Sequence, residues 1–597
     1  MNWPAFASLQ RGKPGQADLQ SLRSAAAKLA RRSGFVFEWV FLILCCALFT
    51  GCMRRDPPAD LTIINYSEPQ SLDPAIISAQ PDMRIVSGMF EGLTRPDPKT
   101  GRAIPGLAER WDISPDGRIY TFHLRTNLMW STGDPIRAAD VVYSLIRTLN
   151  PKTASDYAGQ LFYVKNAEAF NAGKTNAEAV GVKAVDPFTV RVELNNPTVF
   201  FLDLCAMPLA AVVPRQAIEK FGDGWITAAK PLPVSGAYDL GLWRVNDKVR
   251  LKKNPRYWDA ANTQSDSIDL LPIVSASSAL NLFLRGQVDI VWDKELVPNE
   301  LLDVLLKRPD FHTFSYLATY FLRFNVTRKP FDDPRVRKAL ALAIDKRRIV
   351  ERVTRGGEQP ASSFVPADTA NYTSPEGLGY DPKRAKELLA EAGFPGGKNF
   401  PRIEYMFNAA AGGGRIHEEI AIELQQMWRD TLGVDIELRQ LEMQVYLTEQ
   451  DQLHYDLSRS SWIGDYNDAN TFLNMFVTGD GNNRTGWSNA RYDELIHQAN
   501  AITDVQARET LFQQAETILV RDEVPIIPIF FYEGINYYDT NKISGVYANV
   551  VDLHPLNAIR KNHSTASNAG NRAVANNTQH ATGLAAPKRS EGGNTQQ

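Results

Sequence analysis

Ile416-His417-Glu418-Glu419-Ile420-Ala421-Ile422-Glu423-Leu424-Gln425-Gln426-Met427-Trp428-Arg429-Asp430-Thr431-Leu432-Gly433-Val434-Asp435-Ile436-Glu437-Leu438 carries two periods in one stretch. Ile416, Ile420, Leu424, Met427 and Trp428 recur every three or four residues and share one helical face. Gly433 breaks the helix. Val434, Ile436 and Leu438 then alternate with charged residues, as a half-buried strand does. A helix feeding directly into a strand argues for an α/β or α+β lobe.

The same alternation extends outward. Asp381-Pro382 opens a helix with Leu388 and Leu389 inward and Gly393 as its stop. Asp333-Pro334-Arg335 offers an N-cap with proline at the first helical position. That helix continues through Ala339, Leu340 and Ile344, and a further helical stretch stops near Gly356-Gly357. Val190, Val192 and Leu194 alternate with Arg191 and Glu193, a strand pattern. Asp134-Pro135 reads as a turn before a helix over Ala138 to Thr148, and Leu61 to Tyr66 reads as a strand. From Leu61 to about Leu556 there is no low-complexity break and no internal repeat. A chain of 597 residues implies more than one lobe, since a domain usually takes about 100–200 residues.

Composition narrows the function classes. Hydrophobic residues are 44% and charged residues 22%, enough apolar material for sizeable cores. The formal net charge is -3, without the basic balance of a duplex-binding protein, so nucleic acid is not an expected partner. Of the four cysteines, Cys45, Cys46 and Cys52 belong to the N-terminal segment. Cys205 stands alone in the body, cannot form an internal disulfide there, and reads as a small buried hydrophobe.

The first 33 residues are rich in Arg, Lys, Ser and Ala. Trp39 to Thr50 is then uncharged over twelve residues. A membrane span needs about 20 apolar residues, whereas a basic stretch followed by a shorter apolar run is the pattern of an export signal. Its ending, Leu48-Phe49-Thr50-Gly51-Cys52, resembles a bacterial lipobox, which implies cleavage before Cys52 and acylation of its thiol. Phe49 and Glu38 depart from the usual pattern, and an uncleaved signal anchor is the alternative. Residues 53–60 read as a polar linker. The Asn-, Ser- and Gly-rich residues 559–597 read as a disordered tail.

No catalytic constellation stands out. There is no G-x-S-x-G, no phosphate loop, no H-E-x-x-H and no Ser-x-x-Lys. A zinc site built on cysteines is impossible with one Cys in the body. Neither catalysis nor a cofactor nor a metal is expected.

Several blocks carry a resemblance. They are Tyr66-Ser67-Glu68-Pro69-Gln70-Ser71-Leu72-Asp73-Pro74, Met89-Phe90-Glu91-Gly92-Leu93, and Gly106-Leu107-Ala108-Glu109-Arg110-Trp111-Asp112. Tyr120-Thr121-Phe122-His123-Leu124-Arg125, Asn254-Pro255-Arg256-Tyr257-Trp258, Phe331-Asp332-Asp333-Pro334-Arg335 and Trp462-Ile463-Gly464-Asp465-Tyr466-Asn467-Asp468 follow in order. Over about residues 61–555 the chain resembles the extracytoplasmic solute-binding proteins of peptide ABC importers. The resemblance implies an α/β, bilobal periplasmic-binding-protein type II fold with an additional smaller domain. Lobe I would take residues 61–95, 215–317 and 532–558, the extra domain 96–214, and lobe II 318–531.

It also implies the ligand and its contacts. A short peptide with free termini would be held between the lobes by β-like main-chain bonding, with its side chains in hydrated pockets. Asp465 matches the family's partner for the amino terminus, Arg459 its carboxylate-binding arginine, and His417 a second basic residue for longer peptides. Trp462 and Gly464 lie beside Asp465, and Gln80 and Tyr66 on the first-lobe side of the cleft. The family's third basic residue is a lysine; Thr354 stands there, with Arg355 next to it. A family disulfide is replaced by Ala318 and Ile463. The implied partners are peptides, the importer's permease subunits, and a membrane reached through Cys52, for a periplasmic monomer. Alternatives on the same fold are a receptor for cell-wall peptides, nickel, haem or sugar, or a chaperone-like or signalling lipoprotein.

Overall fold

The structure, a computed structural model, describes residues 56–409 and 415–562. Cys52, the apolar run before it and the chain from residue 563 lie outside the described residues.

The strands fall into two main sheets. In chain order, β1 (Leu61–Ile64) is followed by the hairpin β2 (Thr94–Pro96) and β3 (Ala103–Pro105). A four-stranded antiparallel sheet then comprises β4 (Ala108–Ile113), β5 (Ile119–Leu124), β6 (Val182–Asp186) and β7 (Thr189–Glu193). Next come β8 (Tyr238–Arg244), β9 (Lys248–Lys253), β10 (Ser267–Leu271), β11 (Ile290–Trp292) and the long β12 (Phe311–Phe324). Then follow β13 (Gln359–Pro360), β14 (Ile403–Asn408), β15 (Ile436–Leu441), β16 (Leu457–Ile463) and β17 (Ile526–Tyr538). Last are β18 (Ile543–Ser544) and β19 (Arg560–Lys561), which pair with each other. The large sheet has eleven strands in the order β15-β14-β16-β12-β17-β11-β1-β10-β9-β8, with β13 on β17.

The sheet is mixed because helices cross between some neighbours. β1 lies parallel to both β10 and β11, and β14 parallel to both β15 and β16. Parallel neighbours need a long crossover, usually a helix. Helix Ile416–Leu432 supplies it between β14 and β15. That helix buries Ile420, Leu424, Met427 and Trp428, and the Trp428 indole N–H donates to Leu340 O at 2.9 Å. Gly433 ends it in the left-handed region at φ +69°, where glycine is favoured.

β12 and β17 run antiparallel through the middle of this sheet, and the cores change along them. Phe311 of β12 packs with Ile535 and Tyr537 of β17 against Ile64 and Val291. Further along, Leu317 and Phe321 join Phe364 and Phe472, while Tyr320, Leu322 and Phe324 join Leu340 and Trp428. The pairing slips between Ser315 and Thr319, where the cores change. A separate core lies under β4–β7, between that sheet and helix Ala138–Leu149.

Most expected elements form near their expected bounds. Asp333 caps helix Pro334–Leu342 by accepting from Arg335 N, and Asp381 caps helix Pro382–Glu391 by accepting from Arg384 N. The strand expected to reach Tyr66 ends at Ile64, two residues before Tyr66 turns left-handed at φ +70°. The helical stretch expected to stop at Gly356-Gly357 ends in a π turn at Thr354, because Arg355 takes φ +51°. Two boundaries need correction. Residues 559–562 belong to the folded body: Ile559 is fully buried and β19 pairs with β18. Asp60, assigned to the linker, is also tied down, accepting from the main-chain N–H of Asp266 and Ser267 at 2.9 Å. Cys205 is buried as expected, which pushes its thiol pKa far up.

Candidate functional site

Strand β16 positions the central residues. It pairs with β12 so that Arg459 faces Leu322, Trp462 faces Thr319 and Ile463 faces Ala318. Arg459 is 8% exposed. Its Nη1 donates to Asn408 Oδ1 at 3.1 Å and its Nη2 to the Tyr532 hydroxyl at 3.3 Å, while its carbon centre lies 5.0 Å from the Tyr320 ring. Its Nε is buried with no partner. Among the described residues no carboxylate pairs with this guanidinium. An arginine stays protonated in a protein, so Arg459 is a buried cation with neutral neighbours.

Asp465 is the reverse case. It follows β16 directly, and Gly464 makes the approach possible: a Cβ at Gly464 would lie 2.6 Å from Leu317 Cδ2. Gly464 N donates to Leu317 O at 2.7 Å, and Asp465 N donates to Thr471 Oγ1 at 3.2 Å. Gln160 Nε2 donates to Asp465 Oδ2 at 2.8 Å. Among the described residues no cation pairs with this carboxylate. Burial pushes its pKa up to about 6, and the Gln160 bond opposes that only in part.

His417 lies in the first turn of its helix, with Nδ1 buried and unpartnered. Its ring is 5.8 Å from that of Tyr320. Burial first, and the charge of Arg459 second, lower its pKa to about 2. The imidazole is therefore neutral beside Arg459. Lys294 approaches the same group, its ammonium 5.9 Å from the Tyr532 ring, and burial brings its pKa down to about 8.

The remaining residues separate. A cavity of about 800 Å³ is lined by Gln80, Gly464 and Asp465 but not by Arg459, His417, Trp462, Tyr66 or Arg355. Gln80 Nε2 donates to the Tyr316 hydroxyl at 2.6 Å. Trp462 is half-buried, and its indole N–H donates to Thr471 Oγ1 at 3.4 Å. Tyr66 donates to Glu295 Oε2 at 2.9 Å, and burial, with Glu295 next, raises its pKa. Arg355 is already engaged, donating to Asp303 Oδ2 at 3.2 Å and to Asn299 O at 3.0 Å. Thr354 is buried and donates to Glu358 Oε2 at 2.8 Å, while Lys294 pairs with the other oxygen of Glu358.

Sequence reasoning missed Gln160, Asn408, Tyr532 and Lys294. Gln160 belongs to a short 3-10 turn, Ala158–Leu161, with no motif around it. Only the fold brings it to Asp465.

Residues 102–484 match the model of the bacterial extracellular solute-binding proteins, family 5. The chain belongs to this family. The periplasmic oligopeptide-binding protein OppA of Salmonella typhimurium is 36% identical over 478 residues, 78% of this chain and 86% of that protein. The structure of an oligopeptide-binding OppAIV from Borrelia burgdorferi superposes with a TM-score of 0.74 at 33% identity, covering 85% of this chain and 100% of that one. Haemophilus influenzae OppA in complex with RPPGFSPFR gives 0.71 at 30% identity, covering 85% of this chain and 99% of the other. As a family 5 protein the chain has the bilobal type II fold, α/β in class. Among its described residues no helix is long and apolar enough to cross a membrane.

Proposed function

We propose that this family 5 protein is a periplasmic receptor that captures short peptides with free termini and hands them to the permease of an ABC importer. One observation carries the reading: two oppositely charged groups without ionic partners, the buried Arg459 and the half-buried Asp465, stand six residues apart on and just after one strand. An isolated buried charge is costly, and a ligand that brings the missing partners recovers that cost. A zwitterionic peptide brings both, an ammonium for Asp465 and a carboxylate for Arg459. Six residues of strand span about 20 Å, a separation suited to a few extended residues once the reach of the arginine is counted. His417, neutral beside Arg459, would donate to the same carboxylate or to that of a longer peptide.

The names of the relatives support this ligand class. The change of core at the slip between Ser315 and Thr319 supports lobe boundaries near residues 317 and 532, with residues 96–214 as the extra domain. We read the protein as a non-enzymatic monomer that uses no cofactor. We read Cys52 as its lipid attachment point; fatty-acid labelling that persists in Cys52→Ser would place the anchor elsewhere.

The decisive experiment is mass spectrometry of the protein as isolated, followed by calorimetry with tri- to pentapeptides. Co-purified peptides and measurable binding with little sequence preference are expected. No bound peptide and no calorimetric signal would remove the reading.

A further inference from the structure

We infer that the turn at residues 354–358 is a latch that holds the two lobes closed at the Arg459 end of the cleft, through two ion pairs made by Arg355 and Glu358. This rests on the lobe boundaries proposed above and not on the identity of the ligand. The turn is built into lobe II. Val350, just before it, packs in the core of Leu340 and Trp428, and Gln359 and Pro360, just after it, pair with Phe531 and Phe530 of β17. Its partners are built into lobe I. Leu296, Leu302 and Leu305 pack with Ile64 and Val291 in a different core. Arg355 crosses from one to the other, donating from Nη1 to Asp303 Oδ2 and from Nη2 to Asn299 O. Lys294 crosses back and pairs with Glu358 Oε1. Its ammonium is also the one near Tyr532, whose hydroxyl accepts from Arg459.

The turn is shaped for this contact before the lobes meet. Arg355 is left-handed at φ +51°. Glu358 is buried and oriented from within lobe II: its Oε2 accepts from Thr354 Oγ1 and from Gly356 N, each at 2.8 Å, which leaves Oε1 for Lys294. Gly356 brings the main chain against the incoming ammonium, since a Cβ there would stand 3.0 Å from Lys294 Nζ. Taking two charges out of water offsets much of their attraction, and a carboxylate already held in place leaves less to be ordered on closing. The other pair is weaker. The Arg355 and Asp303 side chains are 33% and 64% exposed, so salt screens them. A latch of this strength slows opening without preventing it. Arg355 then acts on how long a peptide stays, with its guanidinium committed to lobe I and not to the peptide.

The test is stopped-flow release of a tri-, a tetra- and a pentapeptide from wild type, Arg355→Ala, Asp303→Ala and the double variant. Each single substitution should raise the dissociation rate about two- to fivefold, the range of a partly exposed pair. The double variant should release no faster than either single one, since the two side chains form one contact. The rise should be the same for all three peptides, with association within about twofold of wild type. Lys294→Met added to Arg355→Ala should raise the rate again. An effect confined to one peptide length would make Arg355 a contact to the ligand and overturn the inference, and so would unchanged release rates. Should no peptide bind, the peptide reading falls and X-ray scattering of the ligand-free protein decides. Arg355→Glu sets a carboxylate against Asp303 at an exposed position and should give a larger radius of gyration than wild type; equal radii would overturn the latch.

Discussion

Gln160 donates to Asp465 Oδ2 at 2.8 Å, and the two residues are 305 positions apart in the chain. The bond ties the 3-10 turn Ala158–Leu161 of the β4–β7 region to the end of β16. It is neutral on one side, so it orients the carboxylate without satisfying its charge. Asp465→Asn should therefore fold normally, with a melting temperature equal to or above that of the wild type. Its affinity for free-amine tripeptides should fall at least about 30-fold, the lower end of what losing one partner of a buried charge pair costs (about 2 kcal/mol). N-acetylated peptides should bind wild type and variant alike. Calorimetry with matched acetylated and free peptides reads this directly.

Peptide affinity should depend on pH through Asp465. In the free protein its pKa is raised from 3.8 to about 6. An ammonium ligand favours the ionised form, so binding should be level from about pH 6.5 to 7.5 and weaken by up to about tenfold per unit below 6, with proton release on binding. The sign for stability is opposite. The folded pKa lies above the unfolded value, so the folded state holds more protons between them. This contribution to stability is fully present below pH 3.8 and is lost as pH rises through about 6. Asp465→Asn should remove that part of the difference between melting curves at pH 5 and pH 7.

Arg459 gives a sharper separation of binding from folding. Arg459→Gln deletes a buried cation that has only neutral neighbours. Removing an uncompensated charge should leave the ligand-free protein as stable or more stable. Affinity for tripeptides should fall at least about 30-fold, since a buried ionic contact to the ligand is typically worth 2 kcal/mol or more. A loss of stability paralleling the loss of binding would mark Arg459 as structural.

His417 should be silent in a proton titration of the free protein. Burial and then the Arg459 charge hold its pKa down to about 2. Its ring signals should stay at the neutral position from pH 8 to pH 4 in an NMR titration. An apparent pKa near the ordinary 6.5 would mean that the ring is solvated and not held against Arg459.

Ala318 and Ile463 are direct cross-strand partners in β12 and β16. Opposed residues in an antiparallel pair have Cα atoms about 4.5–5.5 Å apart, within the range a disulfide spans. Ala318→Cys with Ile463→Cys should oxidise spontaneously, lose both thiols in an Ellman assay, and stabilise the protein by about 2–4 kcal/mol in denaturant titration.

Local sequence revealed elements wherever punctuation was strong. Gly433, Asp333-Pro334 and Asp381-Pro382 each act within a few residues, through a left-handed stop or a capping carboxylate, and the structure places them accordingly. Asp465 stands in a family block and Arg459 six residues before it, while the structure brings Arg459 and His417 together around Tyr320. Arg355 was not legible: one left-handed residue turns its side chain toward Asp303. Nor were Gln160 and Lys294, because their roles depend on which distant segments meet. Nothing in Ala158-Gly159-Gln160-Leu161 hints at a carboxylate hundreds of residues away. The tail boundary misled because Arg560-Lys561 is polar, yet its main chain pairs with β18.

β12 and β17 have a further consequence. They are 14 and 13 residues long and stay hydrogen-bonded to each other across the slip at Ser315 and Thr319. On the lobe boundaries proposed above, this ribbon is the joint, so opening the lobes would bend two paired strands together instead of swinging on a single linking chain.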